Sequence, residues 1–201
     1  MEATAKLRAE IAACQLCAPA FATTATGHSP APVVWFRPEA RILVAGQAPG
    51  IRVHQNRVPF QDPSGARLRD WMAVTKAEFY DQDRIAIVPM AFCFPGYDAQ
   101  GADLPPPPRC AQTWHAAVMT QLSAVKLRLL IGGAAQKWHL GARASVTQTV
   151  ETWRSFGPDC FPLPHPSWRN SGWLKRHTWF ETDLLPELRR RIREVLSDGP
   201  T

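Results

Sequence analysis

The sequence predicts an α/β protein with a parallel sheet covered by helices on both faces. Three observations carry this expectation. Four short apolar runs, 41–46, 84–92, 127–132 and 160–164, read as strands. Segments with apolar residues at helical spacing separate them. Two of the runs stop at loaded turns: Gly46-Gln47-Ala48-Pro49-Gly50 after the first and His165-Pro166-Ser167 after the last. Open α/β folds build their sites at that carboxyl edge of the sheet.

The elements follow in order. Residues 2–13 predict a short amphipathic helix, with Leu7 and Ile11 four apart. Residues 18–40 are rich in Ala, Thr and Pro and read as an extended loop. The run 41–46 is the first strand, and 51–65 read as loop. Residues 66–79 place Leu68, Trp71, Met72 and Phe79 at helical spacing. The second strand, 84–92, is ended or bent by Pro89. A long loop covers 93–110, stiffened by Pro105 to Pro108, which cannot be helix. Residues 111–125 return to helix with Trp114, Val118 and Leu122 on one face. After the third strand, 127–132, Gly132-Gly133 turns into another short helix. Residues 183–196 close the chain as a helix bearing Leu184, Leu185, Leu188, Ile192 and Val195.

At 201 residues the chain is expected to form one domain over 1–201, large enough to bury a real core. Its 23 Lys+Arg against 17 Asp+Glu favour a polyanionic partner, though modestly. The densest basic run, Arg189-Arg190-Arg191, reads first as a solvated helix face. No stretch approaches the roughly 20 apolar residues of a membrane span. The N-terminus carries acids early and lacks the apolar core of a secretory signal, so a cytoplasmic protein is expected.

In a reducing compartment, Cys residues are ligands or core residues before they are disulfides. Cys14 and Cys17 form a C-x2-C pair. Cys93 and Cys110 bracket the proline-rich loop, and Cys160 stands alone. Four thiolates suit a [4Fe-4S] cluster or Zn(II); unrelated buried thiols are the alternative. Cys160 and His139 read as packing residues.

The segment from Ile51 to Gly65 is polar and basic with one aromatic, Phe60. It is either a surface loop tied down by Phe60 or a pocket wall, with Phe60 stacking a base and Asp62 or His54 handling a water. GQAPG has neither the lysine of a P-loop nor the glycine spacing of a dinucleotide site. After HPS, Trp168, Arg169, Trp173, Lys175 and Arg176 interleave rings with cations. That pattern suits a loop pressed into nucleic acid, or a Trp-anchored loop over the core. His165 by itself reads as structural as readily as catalytic.

Taken together, GQAPG, Pro59-Phe60 followed by Gly65, the C-x2-C with Cys93 and Cys110, and the late HPS resemble the uracil-DNA glycosylase superfamily. The likeness is closest to its iron–sulfur branch, the fourth and fifth families, and covers roughly residues 14–180. The resemblance implies a three-layer αβα fold around a four-stranded parallel sheet, with a structural [4Fe-4S] cluster on Cys14, Cys17, Cys93 and Cys110. It implies that Gly46, Gln47, Ala48, Pro49 and Gly50 contact base and water, that Phe60 stacks the flipped uracil, and that His165 holds uracil O2 beside Ser167. Trp168 and Arg169 would enter the duplex, with Arg52 and Arg57 on phosphates. Asp62 is the first choice to position the attacking water, with His54 and Gln47 next. Ala48 stands where the first family has its catalytic Asp. Pro89 stands where the iron–sulfur branch has an Asn that reads the uracil edge.

The implied activity is hydrolysis of the N-glycosidic bond of uracil in single- or double-stranded DNA, by a monomer and away from membranes. Ala48 and Pro89 keep two alternatives open. One is a protein that binds uracil or abasic DNA with little turnover. The other is a glycosylase for hypoxanthine or xanthine. An unrelated iron–sulfur electron carrier is a more distant reading.

Overall fold

Apart from Arg128 the strands are apolar, because parallel strands are covered on both faces. In the computed structural model, which describes residues 2–197, they are β1 (Ile42–Ala45), β2 (Ile85–Ile87), β3 (Leu127–Ile131) and β4 (Cys160–Leu163). They form one parallel sheet in the order β2-β1-β3-β4. Ile42 pairs with both Ile85 and Leu127, and Arg128 pairs with Cys160.

Side chains alternate across the sheet, so each strand feeds two cores. Ile42, Val44, Ile85, Leu129 and Phe161 face one of them. That face is covered by α4 (Pro63–Met72), α5 (Lys76–Tyr80), α8 (Val146–Glu151) and α10 (Leu185–Ser197), through Leu68, Phe79, Val150 and Leu188 among others. Leu43, Ala86 and Val88 face the other, under α1 (Glu2–Ala12) and α6 (Pro108–Gln121). There Leu7, Ile11, Val118 and Leu122 complete the packing. A third, smaller cluster sets Cys160 against Ala45, Leu130 and Ala135, the last from α7 (Gly132–Leu140). The result is the three-layer αβα arrangement expected, and Cys160 packs as anticipated.

Several local expectations need correction. The 18–40 segment is not all extended: α2 (Ala18–Ala22) forms just after the C-x2-C and buries Phe21. The 51–65 segment is not all loop: α3 (Ile51–Asn56) starts at Gly50 and buries Val53. α4 begins three residues earlier than the apolar spacing indicated, because Asp62 caps it and Pro63 fits its first turn. It also stops early. Ala73 turns left-handed and its N–H returns to the last turn, and Thr75 and Glu78 then form a capping box that starts α5. α6 likewise starts earlier, with Pro108 in its first turn. A π-helical turn, Phe180–Leu184, precedes α10. The short α8 and α9 (Ser171–Arg176) carry too little apolar periodicity to be read from spacing.

The arginine run on α10 is tied to the protein rather than simply solvated. Arg189 donates to the Trp71 and Asp70 carbonyls at 3.2 and 3.1 Å, at the C-terminal end of α4, where a cation meets the negative end of the helix dipole. Arg190 bonds Glu187 and Glu194. Arg191 reaches Asp159 at 2.7 Å. Among the described residues no helix is long and apolar enough to cross a membrane.

Candidate active site

The GQAPG turn leaves the carboxyl end of β1 and forms one side of a cavity. Gly46, Gln47, Ala48, Pro49 and Gly50 all line it, and Val53 of α3 extends that wall. The segment after β2 runs alongside the turn: the N–H groups of Met90 and Ala91 donate to the carbonyls of Gly46 and Gln47 at 2.9 and 3.1 Å. This holds Pro89 against the cavity, where Ile87, Ile131 and Val33 complete an apolar side. The Gln47 side chain is exposed there and accepts or donates no hydrogen bond to any described residue. The cavity is about 90 Å³, where one water needs roughly 10–15 Å³. It therefore has room for a planar ring.

Phe60 stands in this cavity in a strained conformation. Its φ of 54° is left-handed, unusual for a bulky residue. Arg69 and the Tyr80 hydroxyl hold it there by donating to its carbonyl at 3.2 and 3.0 Å. Its ring packs edge-on against Phe79. Gly65 is what permits the turn. A Cβ at that position would lie 1.8 Å from the Phe60 carbonyl oxygen. The pairing of Phe60 with a glycine five residues on is thus a steric requirement.

Asp62 also lines the cavity and has two roles to fill at once. Its Oδ1 caps α4 by accepting from the Gly65 N–H at 2.9 Å. Its second oxygen has no hydrogen-bond partner among the described residues, and Ser64 lines the same cavity. Ser64 was not singled out from sequence; the Asp62-Pro63 helix-start signature could have flagged the position.

His165 reaches the same cavity from the end of β4. The Ser167 N–H donates to its Nδ1 at 3.2 Å, so the proton of the neutral ring sits on Nε2. The Asn170 side chain donates to the His165 carbonyl at 2.7 Å. Arg67 of α4 ties the loop down, donating to the Ser167 carbonyl at 2.9 Å and to Ser171 Oγ at 3.3 Å. The same helix that carries Asp62 at its start therefore clamps the His165 loop. The ring meets solvent through the cavity mouth, yet the surrounding protein desolvates it enough to lower its pKa. The carboxylates of Asp62 and Asp103 pull the other way. Arg67 and Asp103 carry no sequence signal; the fold brings them here.

The other candidates divide. Ser167 lies beside the cavity and shapes the loop, its Oγ accepting from the Arg169 N–H. Trp168 is 71% exposed, and Arg169, Arg52 and Arg57 are exposed, Arg57 beside Trp35 and Arg8 of α1. His54 does not line the cavity. It packs edge-on against His28, 5.0 Å between ring centroids, and near Phe94. Burial, His28 and Arg57 lower its pKa.

A second cavity gathers Cys14, Cys17, Cys93 and Cys110. Among the described residues no His, Cys, Asp or Glu side chains are grouped as ligands of a single ion; the four thiols instead ring a shared space with Arg109, Phe21 and Trp114. Burial, with the neighbouring thiols adding to it, pushes Cys93 up to about 12 and Cys110 to about 11. The Phe92 N–H donates to Cys110 Sγ at 3.4 Å. Trp114 Nε1 is buried without a partner among the described residues. Four thiols, a backbone donor to sulfur and a cation on one wall fit a thiolate-ligated inorganic group.

Residues 33–189 match the family model of the uracil DNA glycosylase superfamily. The matched span includes the base-sized cavity, Cys93 and Cys110, and starts after Cys14 and Cys17. With a parallel αβα core and the GQAPG and HPS loops meeting at one edge, the chain belongs to the uracil DNA glycosylase superfamily, hydrolases that act on DNA.

Proposed function

We propose that the protein is a uracil-DNA glycosylase of the iron–sulfur branch, a single-domain enzyme that acts as a monomer and leaves an abasic site in DNA. The observation that supports this best is that the GQAPG turn, Phe60, Asp62 and His165 all line one cavity.

The target nucleotide must leave the stack, which costs least in a mismatch or a single strand. Its base enters the cavity against the Phe60 ring. The C1′–N bond breaks and its electron pair stays on the base, so negative charge grows on a base carbonyl oxygen. The Nε2–H of neutral His165 donates to that oxygen. Asp62 holds the water with its uncapped oxygen, accepts the water's proton as the oxygen bonds C1′, and favours the cationic sugar that precedes it. Gln47, which also lines the cavity, supports the water. His54, on α3, packs against His28 and Phe94 and contributes through packing. Trp168 and Arg169 enter the DNA where the base has left, and Arg52 and Arg57 meet phosphates, so binding falls steeply with salt.

Cys14, Cys17, Cys93 and Cys110 would hold a [4Fe-4S] cluster, which when bound pins the N-terminal segment to the loop after β2 and to α6. Burial keeps the free thiols protonated, so assembly releases protons.

Pro89 favours a second reading. The wall it forms with Ile87 and Ile131 is apolar, with no side-chain amide to read a pyrimidine edge. Such a wall suits hypoxanthine or xanthine as well as uracil. Oligonucleotides each carrying one altered base, single- and double-stranded, separate the readings. Abasic sites at uracil above all others are expected. Faster release of hypoxanthine would favour the second reading; tight retention of uracil DNA with no free base would make the protein a binder.

A further inference from the structure

His115 of α6 is 1% exposed and lies outside the cavity, yet its Nε2 is 2.9 Å from the Pro89 carbonyl oxygen. Pro89 sits just past β2, the edge strand, where a residue without an N–H can stand. The N–H groups of Val88 and Met90 point to β1. With those groups taken up by β1, the Pro89 carbonyl turns away from the ladder and meets α6 through His115. Unpaired there, it would be a buried orphan acceptor. Because a carbonyl only accepts, the His115 proton must be on Nε2. Nδ1 is buried with no partner among the described residues. The rings of Phe92, Trp138 and His139 surround the imidazole, with centroids at 6.2, 5.6 and 6.0 Å.

We propose that His115 is a positioning residue for the base cavity: by holding the Pro89 carbonyl outward it fixes the proline ring as the wall against which the flipped base is registered. The role rests on the glycosylase reading of the cavity. Burial lowers the His115 pKa, and a buried neighbour, His139, is held down to about 4. Both therefore stay neutral, so the wall keeps its position across physiological pH.

The test compares His115→Leu, which removes the donor, with His115→Gln, whose amide can reach the same carbonyl. Single-turnover release of uracil and DNA binding are measured on the full chain. His115→Leu should slow release about tenfold, the scale of one orphaned buried acceptor, with DNA affinity unchanged, and His115→Gln should recover most of the rate. Release at the wild-type rate in His115→Leu, or equal impairment in the two variants, overturns the role. A measurement on the wild-type protein stands apart from activity and from the folding of either variant. Two-bond ¹⁵N spectra at pH 7 should show the Nε2–H tautomer at His115, and an Nδ1–H tautomer sinks the proposal. A wild-type protein that releases no base fails the glycosylase reading instead, and leaves the tautomer to judge His115.

Discussion

The backbone N–H of Ser167 donates to Nδ1 of His165 across 3.2 Å, and this bond decides which imidazole nitrogen carries the proton. A bare Nδ1 leaves Nε2–H as the donor for a base carbonyl. His165→Ala should therefore keep DNA binding and lose about 100- to 1000-fold in base release, the scale of one oxyanion donor. Unchanged single-turnover kinetics would remove His165 from the mechanism.

The same bond sets a pH dependence. Protonating Nδ1 breaks it, and burial has already lowered the His165 pKa. Since the folded value is depressed, the unfolded chain binds the proton more readily. Stability from this site is complete above the ordinary histidine value of about 6.5 and falls as pH drops below it. Base release should be level from pH 8 to 7, with its acid limb below 6.5. A limb centred above 6.5 in the kcat profile would contradict the tautomer assignment.

Asp62 joins a structural bond to a chemical one, and two substitutions separate them. Asp62→Ser keeps a capping oxygen for the Gly65 N–H and removes the carboxylate. Its stability should stay near that of the wild type while base release falls about 100-fold. Asp62→Ala should lose about 1 kcal/mol of stability in addition. Thermal melts and single-turnover rates read the two effects. A Ser variant with full activity would move water activation to Gln47.

Gly65→Ala drives a Cβ into the Phe60 carbonyl. The backbone must shift, at a cost of about 1–3 kcal/mol for overpacking. The left-handed turn that aims the Phe60 ring should relax with it. A crystal structure showing Phe60 unmoved, with normal uracil release, would mean that the ring's placement does not depend on this glycine.

Purified under nitrogen, the protein should be brown, with four iron atoms per chain, as a cubane requires. Cys93→Ser should bleach it and expose the N-terminal segment to protease. A colourless protein carrying zinc would reject the cluster and the iron–sulfur branch together.

Residue types that need special conformations or special neighbours announced themselves. The strands were legible because burial on both faces demands unbroken apolar runs, as in Ile42 to Ala45. The GQAPG and HPS turns were legible because parallel strands deliver their ends to one edge. The four cysteines were legible as a set by type, and they do share a cavity. Short helices such as α3 and α9 were not, since their caps are backbone geometry and they carry few apolar residues.

What the sequence by itself determined is local: which runs bury, where helices can be capped, and which side chains have useful chemistry. The tertiary structure alone decided which of those groups meet. It put His165 and Asp62 on one cavity and turned His54 into the packing behind it. It enlisted Arg67 to clamp the His165 loop and His115 to hold Pro89. Those partnerships join residues far apart in the chain. They depend on how helices and strand ends are stacked in space, and no local pattern of polarity records that.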